Sequence, residues 1–176
     1  MDVKKKLLYI DVPFYDIHGG DKNRSNFLWR ILKDNFTADI LLLEDVNSKT
    51  TIPDHHCENN TYSLEVLPEK LSKSDAIYEF SKNELAKFAN ILRTNQYDIV
   101  FLRFISPGAL ALEANKVLPN SQIIVAVDML FSRIAAMNWA DNPSLKNKYF
   151  YFEKKKLEKF ESLFFKKNFT FLFTNY

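Results

Sequence analysis

Short apolar runs alternate along the whole chain with longer segments of helical period, and no other feature narrows the fold as much. The runs are Leu7 to Val12, Ala38 to Leu43, Tyr62 to Leu67, Asp98 to Phe104, Gln122 to Val127 and Phe169 to Phe173. Runs such as Ala38 to Leu43 have no polar alternation. A strand of that kind needs cover on both faces, which crossover helices over a parallel sheet provide. The pattern predicts about six strands in a doubly wound, mainly parallel sheet with helices on both faces, a Rossmann-like α/β fold of strand order 3-2-1-4-5-6.

The connecting segments supply the helices. Phe27, Leu28, Ile31 and Leu32 fall on one face of a helix after the first strand, and Ala38 to Leu43 is expected to lie centrally. Asn47 to Asn60 is polar, holds Pro53 and reads as a loop before an edge strand at Tyr62 to Leu67. Ser81 and Glu84 have the spacing of a capping box ahead of Leu85, Phe88, Ala89 and Leu92. Ser106-Pro107 opens a helix that ends at Pro119. An irregular stretch follows Asp128, and Asn142-Pro143 starts a long, charged, aromatic helix running to about Asn168.

At 176 residues, 47% of them hydrophobic, the chain has room for one substantial core and is short for two, so residues 1–176 are read as a single domain. The 24 Lys and Arg nearly cancel the 22 Asp and Glu, which removes the global positive field expected of a nucleic-acid binder. Cys57 is the only cysteine, so there is no internal disulfide and a reducing, cytoplasmic setting is expected. The N-terminal apolar run is broken by Asp11 and Pro13 before it reaches signal-peptide length. No stretch approaches the ~18 apolar residues of a membrane span.

In doubly wound sheets ligands bind beyond the carboxyl ends of the strands, near the switch point of strand order. The first strand ends in Asp11 and leads to His18, Gly19 and Gly20, with Arg24 one turn into the helix. The fourth ends in Arg103, the fifth in Asp128 with Arg133 close behind, and the sixth in Thr174 and Asn175. Paired glycines before a helix let backbone N–H groups approach a phosphate, or else simply supply a tight turn. The dinucleotide pattern GxGxxG and the P-loop pattern are both absent. Asp128 closes an apolar strand, where a carboxylate is a helix cap, a core-edge acceptor or a functional group aimed into the cleft. Arg133 either pairs with it or reaches an anionic group on a ligand.

Asp54, His55, His56, Cys57 and Glu58 are all capable of binding metal, but adjacent residues rarely close a tetrahedral site, so no metal is expected. Lys154, Lys155, Lys156, Lys166 and Lys167 read as the wet face of the last helix, balanced by Glu153, Glu158 and Glu161. Contact with a membrane surface or an anionic partner is the sharper alternative.

In their order, the strand KLLYIDV, the loop PFYDIHGG with Arg24, the strand YDIVFLRF, the segment IIVAVDMLFSR and the long helix before FTFLFTNY resemble the N-terminal domain of group 1, family 4 glycosyltransferases. The resemblance covers essentially the whole chain. It implies the acceptor-side half of a GT-B enzyme that transfers a sugar, with retention and without metal or other cofactor, from a nucleotide sugar to a glycan, lipid-linked or other acceptor. Cell-surface polysaccharide or glycoconjugate synthesis is the expected setting, in the cytoplasm or peripherally at the inner face of the membrane.

By the same resemblance His18, Gly19, Gly20 and Arg24 lie on the donor-phosphate side, Arg103 on the acceptor side, and Asp128 and Arg133 take the catalytic-side place where many members carry a histidine. The nucleotide-sugar-binding C-terminal domain is then a missing partner, and residues 1–176 alone are expected to be inactive. Tyr149, Phe150, Tyr151 and Phe152 are consecutive in a helix and must point around its circumference, so at least one is available for another surface. Two other classes compete. One is a non-catalytic binding module of the same fold; the other is a Rossmann-type oxidoreductase or methyltransferase, which lacks support because Leu8 to Ile17 contain no glycine.

Overall fold

The computed structural model describes residues 4–11, 20–45, 60–66, 77–127, 130–141, 143 and 148–173. In chain order its elements are β1 (Lys6–Asp11), α1 (Gly20–Asn35), β2 (Thr37–Asp45), β3 (Thr61–Val66), α2 (Lys82–Asn95), β4 (Ile99–Leu102), α3 (Gly108–Val117), β5 (Gln122–Val127), α4 (Phe131–Asp141), α5 (Lys148–Phe164) and β6 (Thr170–Phe173). The strands form one sheet of order β3-β2-β1-β4-β5-β6 in which every pairing is parallel. This is the expected doubly wound, Rossmann-like α/β architecture. The order in which strands are added reverses between β1 and β4, where Leu7 to Ile10 lie beside Ile99 to Leu102.

The period-2 pleat sorts the strand residues into two cores. Leu8, Ile10, Leu41, Leu43, Val100, Leu102, Val125 and Val127 face a cluster completed by Phe88 and Leu92 of α2, Leu110 and Ala114 of α3, and Phe164 of α5. Leu7, Tyr9, Ile40, Leu42, Ile99 and Phe101 face the other way, against Trp29 and Leu32 of α1. Because both sides are covered, the central strands need no polar alternation.

Helix α1 docks with part of the expected face, Leu28 and Leu32, and turns Phe27 and Ile31 outward. Phe27 is 66% and Ile31 42% exposed, whereas Ser25, Trp29 and Leu32 are buried and Leu28 is half-buried. Trp29 carries more apolar area than any neighbour and stacks on Tyr9 with ring centroids 5.9 Å apart, so it takes the inward position.

The stretch after Asp128, expected to be irregular, contains α4, and α5 starts at Lys148 and ends at Phe164, inside the expected span. Glu161 of α5 explains α4: its carboxylate accepts from the Ser132 backbone N–H at 3.1 Å and from the Ser132 hydroxyl at 2.5 Å. The donors that open α4 are thus satisfied by a residue about thirty positions downstream.

Two further caps depart from expectation. Ser81 accepts from the Glu84 N–H at 3.1 Å, as a capping box requires, but the Glu84 carboxylate reaches across to the Glu65 N–H of β3 at 3.0 Å and to Lys87. Helix α3 has Pro107 at its N-cap without a side-chain cap bond, while the Ser106 carbonyl accepts from the Tyr78 N–H. Gly108 opens α3 directly beneath α5: a Cβ built there would lie 2.9 Å from Phe160 Cζ and 3.0 Å from Phe164 Cε2. Phe164 centres an aromatic cluster with Phe160, Phe169 and Phe171, which packs α5 against the end of the sheet.

At the amino edge of the sheet the buried Tyr97 hydroxyl donates to Asp39 Oδ2 at 2.6 Å. Burial, followed by this bond to Asp39, raises the Tyr97 pKa far above its ordinary value.

Candidate functional site

The carboxyl edge at the β1–β4 switch point carries a buried charged pair. Asp11 ends β1 and Arg103 directly follows β4; the Arg103 N–H donates to the Ile10 carbonyl at 3.1 Å, so the two side chains issue from adjacent backbone. Arg103 Nη1 lies 3.1 Å from Asp11 Oδ1, and the side chains are 4% and 1% exposed. The other carboxylate oxygen of Asp11 accepts from the Ser25 hydroxyl of α1. The guanidinium also lies over the Phe104 ring, 4.6 Å from its centroid. A buried ion pair adds little net stability over apolar residues of the same shape, yet removing one partner strands the other charge. The pair therefore fixes geometry, joining β1, β4 and α1 at one point.

Ser25 sets the height of α1. Gly20, its first residue, precedes Ser25 by five residues, and at 1.5 Å per residue it stands about 7.5 Å further along the axis. The Ser25 contact with Asp11 therefore brings the N-terminal part of α1 next to the switch point. The positive end of a helix dipole favours an anion. His18, Gly19 and Asp128 lie outside the described residues, as do the side chain of Arg24, Thr174, Asn175 and the run from Asp54 to Glu58.

Arg133 is exposed in the first turn of α4, its N–H donating to the Leu130 carbonyl at 3.1 Å. Helix α4 follows β5 closely, which puts Arg133 on the same carboxyl edge as Arg103. Its backbone position is held by the Glu161 cap on Ser132. Arg103, expected as an acceptor-binding side chain, is buried against Asp11. Sequence reasoning brought Asp11 and Arg103 to one edge but did not pair them, and it missed Ser25 and Glu161. A serine in the second turn of α1 next to buried apolar positions was the available signal for the first.

Among the described residues no group of three or more His, Cys, Asp and Glu is placed to hold a metal ion, and no helix is long and apolar enough to cross a membrane.

No protein-family profile matches the chain, and no curated protein sequence does. Among solved structures it is similar to sucrose-phosphate synthase from Thermosynechococcus elongatus, with 14% identity and a TM-score of 0.51, over 97% of this chain and 47% of that one. It is also similar to a family 3 carbohydrate esterase of Clostridium thermocellum, with 14% identity and a TM-score of 0.42, over 96% of this chain and 77% of that one. The chain thus spans about half the length of the synthase. The likeness to the synthase supports a GT-B-like fold and assigns no family.

Proposed function

We propose that the chain forms the acceptor-side half of a retaining, metal-independent glycosyltransferase, which moves a hexosyl group from a nucleotide sugar to a glycan or lipid-linked acceptor in cell-surface polysaccharide or glycoconjugate synthesis. The observation that carries this reading is the Ser25–Asp11–Arg103 contact, which ties α1 to the β1–β4 switch point. A helix start beside a switch point suits a diphosphate. The fold likeness to about half of a sucrose-phosphate synthase is consistent with a one-half role.

In this reading Gly19 and Gly20 let the donor diphosphate approach the backbone, and His18 and Arg24 flank it. Asp128 and Arg133 act from the β5 side on the acceptor and on charge that develops during transfer. Arg103 supports the acceptor wall as a fixed, buried cation. A second, donor-binding domain holds the nucleotide, since catalysis needs both substrates fixed together.

The test is sugar transfer from a panel of nucleotide sugars, measured for residues 1–176 alone and for a longer polypeptide that carries a donor-binding domain. Transfer is expected only from the longer chain. Comparable transfer by residues 1–176 alone overturns the two-domain reading, and nucleotide-sugar binding without transfer by the longer chain favours a binding module.

A further inference from the structure

We propose that Glu161 is a positioning residue: from α5 it fixes the start of α4, and so the backbone of Arg133, an inference that rests on the transferase reading. The sequence sets Glu153 and Glu161 among the balancing charges of a wet face, but the fold buries both, at 5% and 6% exposed, and leaves Glu158 outside, paired with Lys154. An acid in the last turn of a helix lies at the negative end of the dipole, and burial adds a desolvation cost. Both penalties fall on Glu161, so its contacts have to offset them. Those contacts are the backbone N–H and the hydroxyl of Ser132, at 3.1 and 2.5 Å, at the positive end of α4. A serine or asparagine just ahead of α4 would cap it locally. A carboxylate sent from α5 instead ties the start of α4 to the core that α5 itself enters.

The seam between the helices passes this tie on. They run antiparallel, with Glu161 on Ser132, Leu157 buried against Ala135, and the Tyr151 ring centroid 6.1 Å from that of Trp139. Just beyond Glu161, the buried Phe164 stacks on Phe160, and both rings lie close over Gly108 at the start of α3. Within α4 the Leu130 carbonyl accepts from the Arg133 N–H at 3.1 Å and from the Ile134 N–H at 3.3 Å. The Arg133 backbone is therefore bracketed, by Glu161 through Ser132 and by Leu130, while the residue itself is exposed. A flexible guanidinium on a fixed backbone loses less freedom when it meets an anion, and small displacements of a reacting group cost rate steeply. Glu161 has no direct part in the chemistry and acts through Ser132 and Arg133. The packing of Leu157 on Ala135 does not need the carboxylate, so losing it should loosen the first turn of α4 without unfolding the domain.

Amide hydrogen exchange on residues 1–176 reads the clamp directly, and transfer kinetics in the longer polypeptide read its use. Glu161→Met keeps length and burial but removes both acceptor oxygens. It should speed exchange at Ser132 and Arg133 about 10-fold, and lower kcat about 10-fold with KM for the nucleotide sugar unchanged. Glu161→Gln can still accept from the Ser132 N–H and donate to its hydroxyl oxygen, so it should regain most of both. In an Arg133→Met background Glu161→Met should lower kcat no further. Leu157→Ala, which opens the seam but leaves the carboxylate in place, should lower the melting temperature more than Glu161→Met does, and kcat less. Unchanged exchange at Ser132 and Arg133 in Glu161→Met overturns the proposal. So does an unchanged kcat when the parent is active, or an equal fall in kcat with and without Arg133. A longer parent that transfers no sugar removes the transferase reading and the kinetic role with it, and exchange then decides separately whether Glu161 holds the backbone of Arg133.

Discussion

Arg103 and Asp11 sit ninety-two positions apart in sequence and 3.1 Å apart in space, both buried, where the strand order of the sheet turns around. Each neutralises a charge that the site could not otherwise accommodate. Arg103→Met or Asp11→Leu alone should therefore destabilise the domain by about 3–5 kcal/mol, and the double variant should recover most of that loss. Urea unfolding of the three variants checks this; strictly additive losses would show that the charges do not act as a pair.

Gly108 is fixed by packing rather than by backbone conformation. Its missing Cβ leaves room for Phe160 and Phe164, and Phe164 is held in the aromatic cluster and cannot retreat. Gly108→Ala should lower stability by about 1–3 kcal/mol through overpacking. Adding Phe160→Leu, which removes the nearest ring atom, should restore part of it. Thermal melts of the single and double variants decide the matter.

Tyr97 gives the stability a defined alkaline limit. Burial and the bond to Asp39 raise its pKa, so the folded state keeps a proton that the unfolded chain releases above about pH 10, the ordinary tyrosine value. The stabilisation is complete below that pH and declines as pH rises further. Tyr97→Phe should flatten this alkaline decline and, by leaving Asp39 without its hydroxyl donor, cost about 1–3 kcal/mol at neutral pH. Urea midpoints from pH 7 to 11 on both proteins give the comparison.

The proposed roles around the rim separate by kinetic parameter in the longer polypeptide. Gly20→Val, which puts a branched side chain at the start of α1, should raise KM for the nucleotide sugar. Asp128→Asn and Arg133→Met should lower kcat by about 10²-fold. Arg133 is exposed, so its variant should melt within a degree or two of the parent. Unchanged kinetics for Gly20→Val would remove the phosphate role, and normal transfer by Asp128→Asn would return that residue to a structural cap.

The sheet was legible because its signal is local: each central strand is a largely apolar run, and connection rules limit the strand order. Helix α4 was not. Its segment FSRIAAMNWAD has no readable cap of its own, because the cap is Glu161 on another helix, and Met137 is 58% exposed, which blurs the apolar stripe. The inward face of α1 was legible at Leu28 and Leu32 and misjudged at Phe27 and Ile31, because Phe27 and Trp29 are both plausible anchors and only Tyr9 across the interface decides between them. At the candidate site the strand-end positions of Asp11 and Arg103 could be read, but their pairing depends on β1 and β4 being neighbours. The charge of α5 was misread for a related reason, since a helical wheel gives angles and the fold decides which angle faces in.

The long separation between Asp11 and Arg103 also sets a schedule for synthesis. The chain emerges from its N-terminus, so β1 can pair with β2, and β2 with β3, while β4 and the guanidinium are still unmade. During that interval Asp11 has no cation to meet, and the β1 edge, with Leu7, Leu8, Tyr9 and Ile10, is an open apolar template. A nascent chain stalled before Arg103 thus exposes an unpaired strand edge open to aggregation, and arrival of β4 closes that edge and brings a cation to the carboxylate.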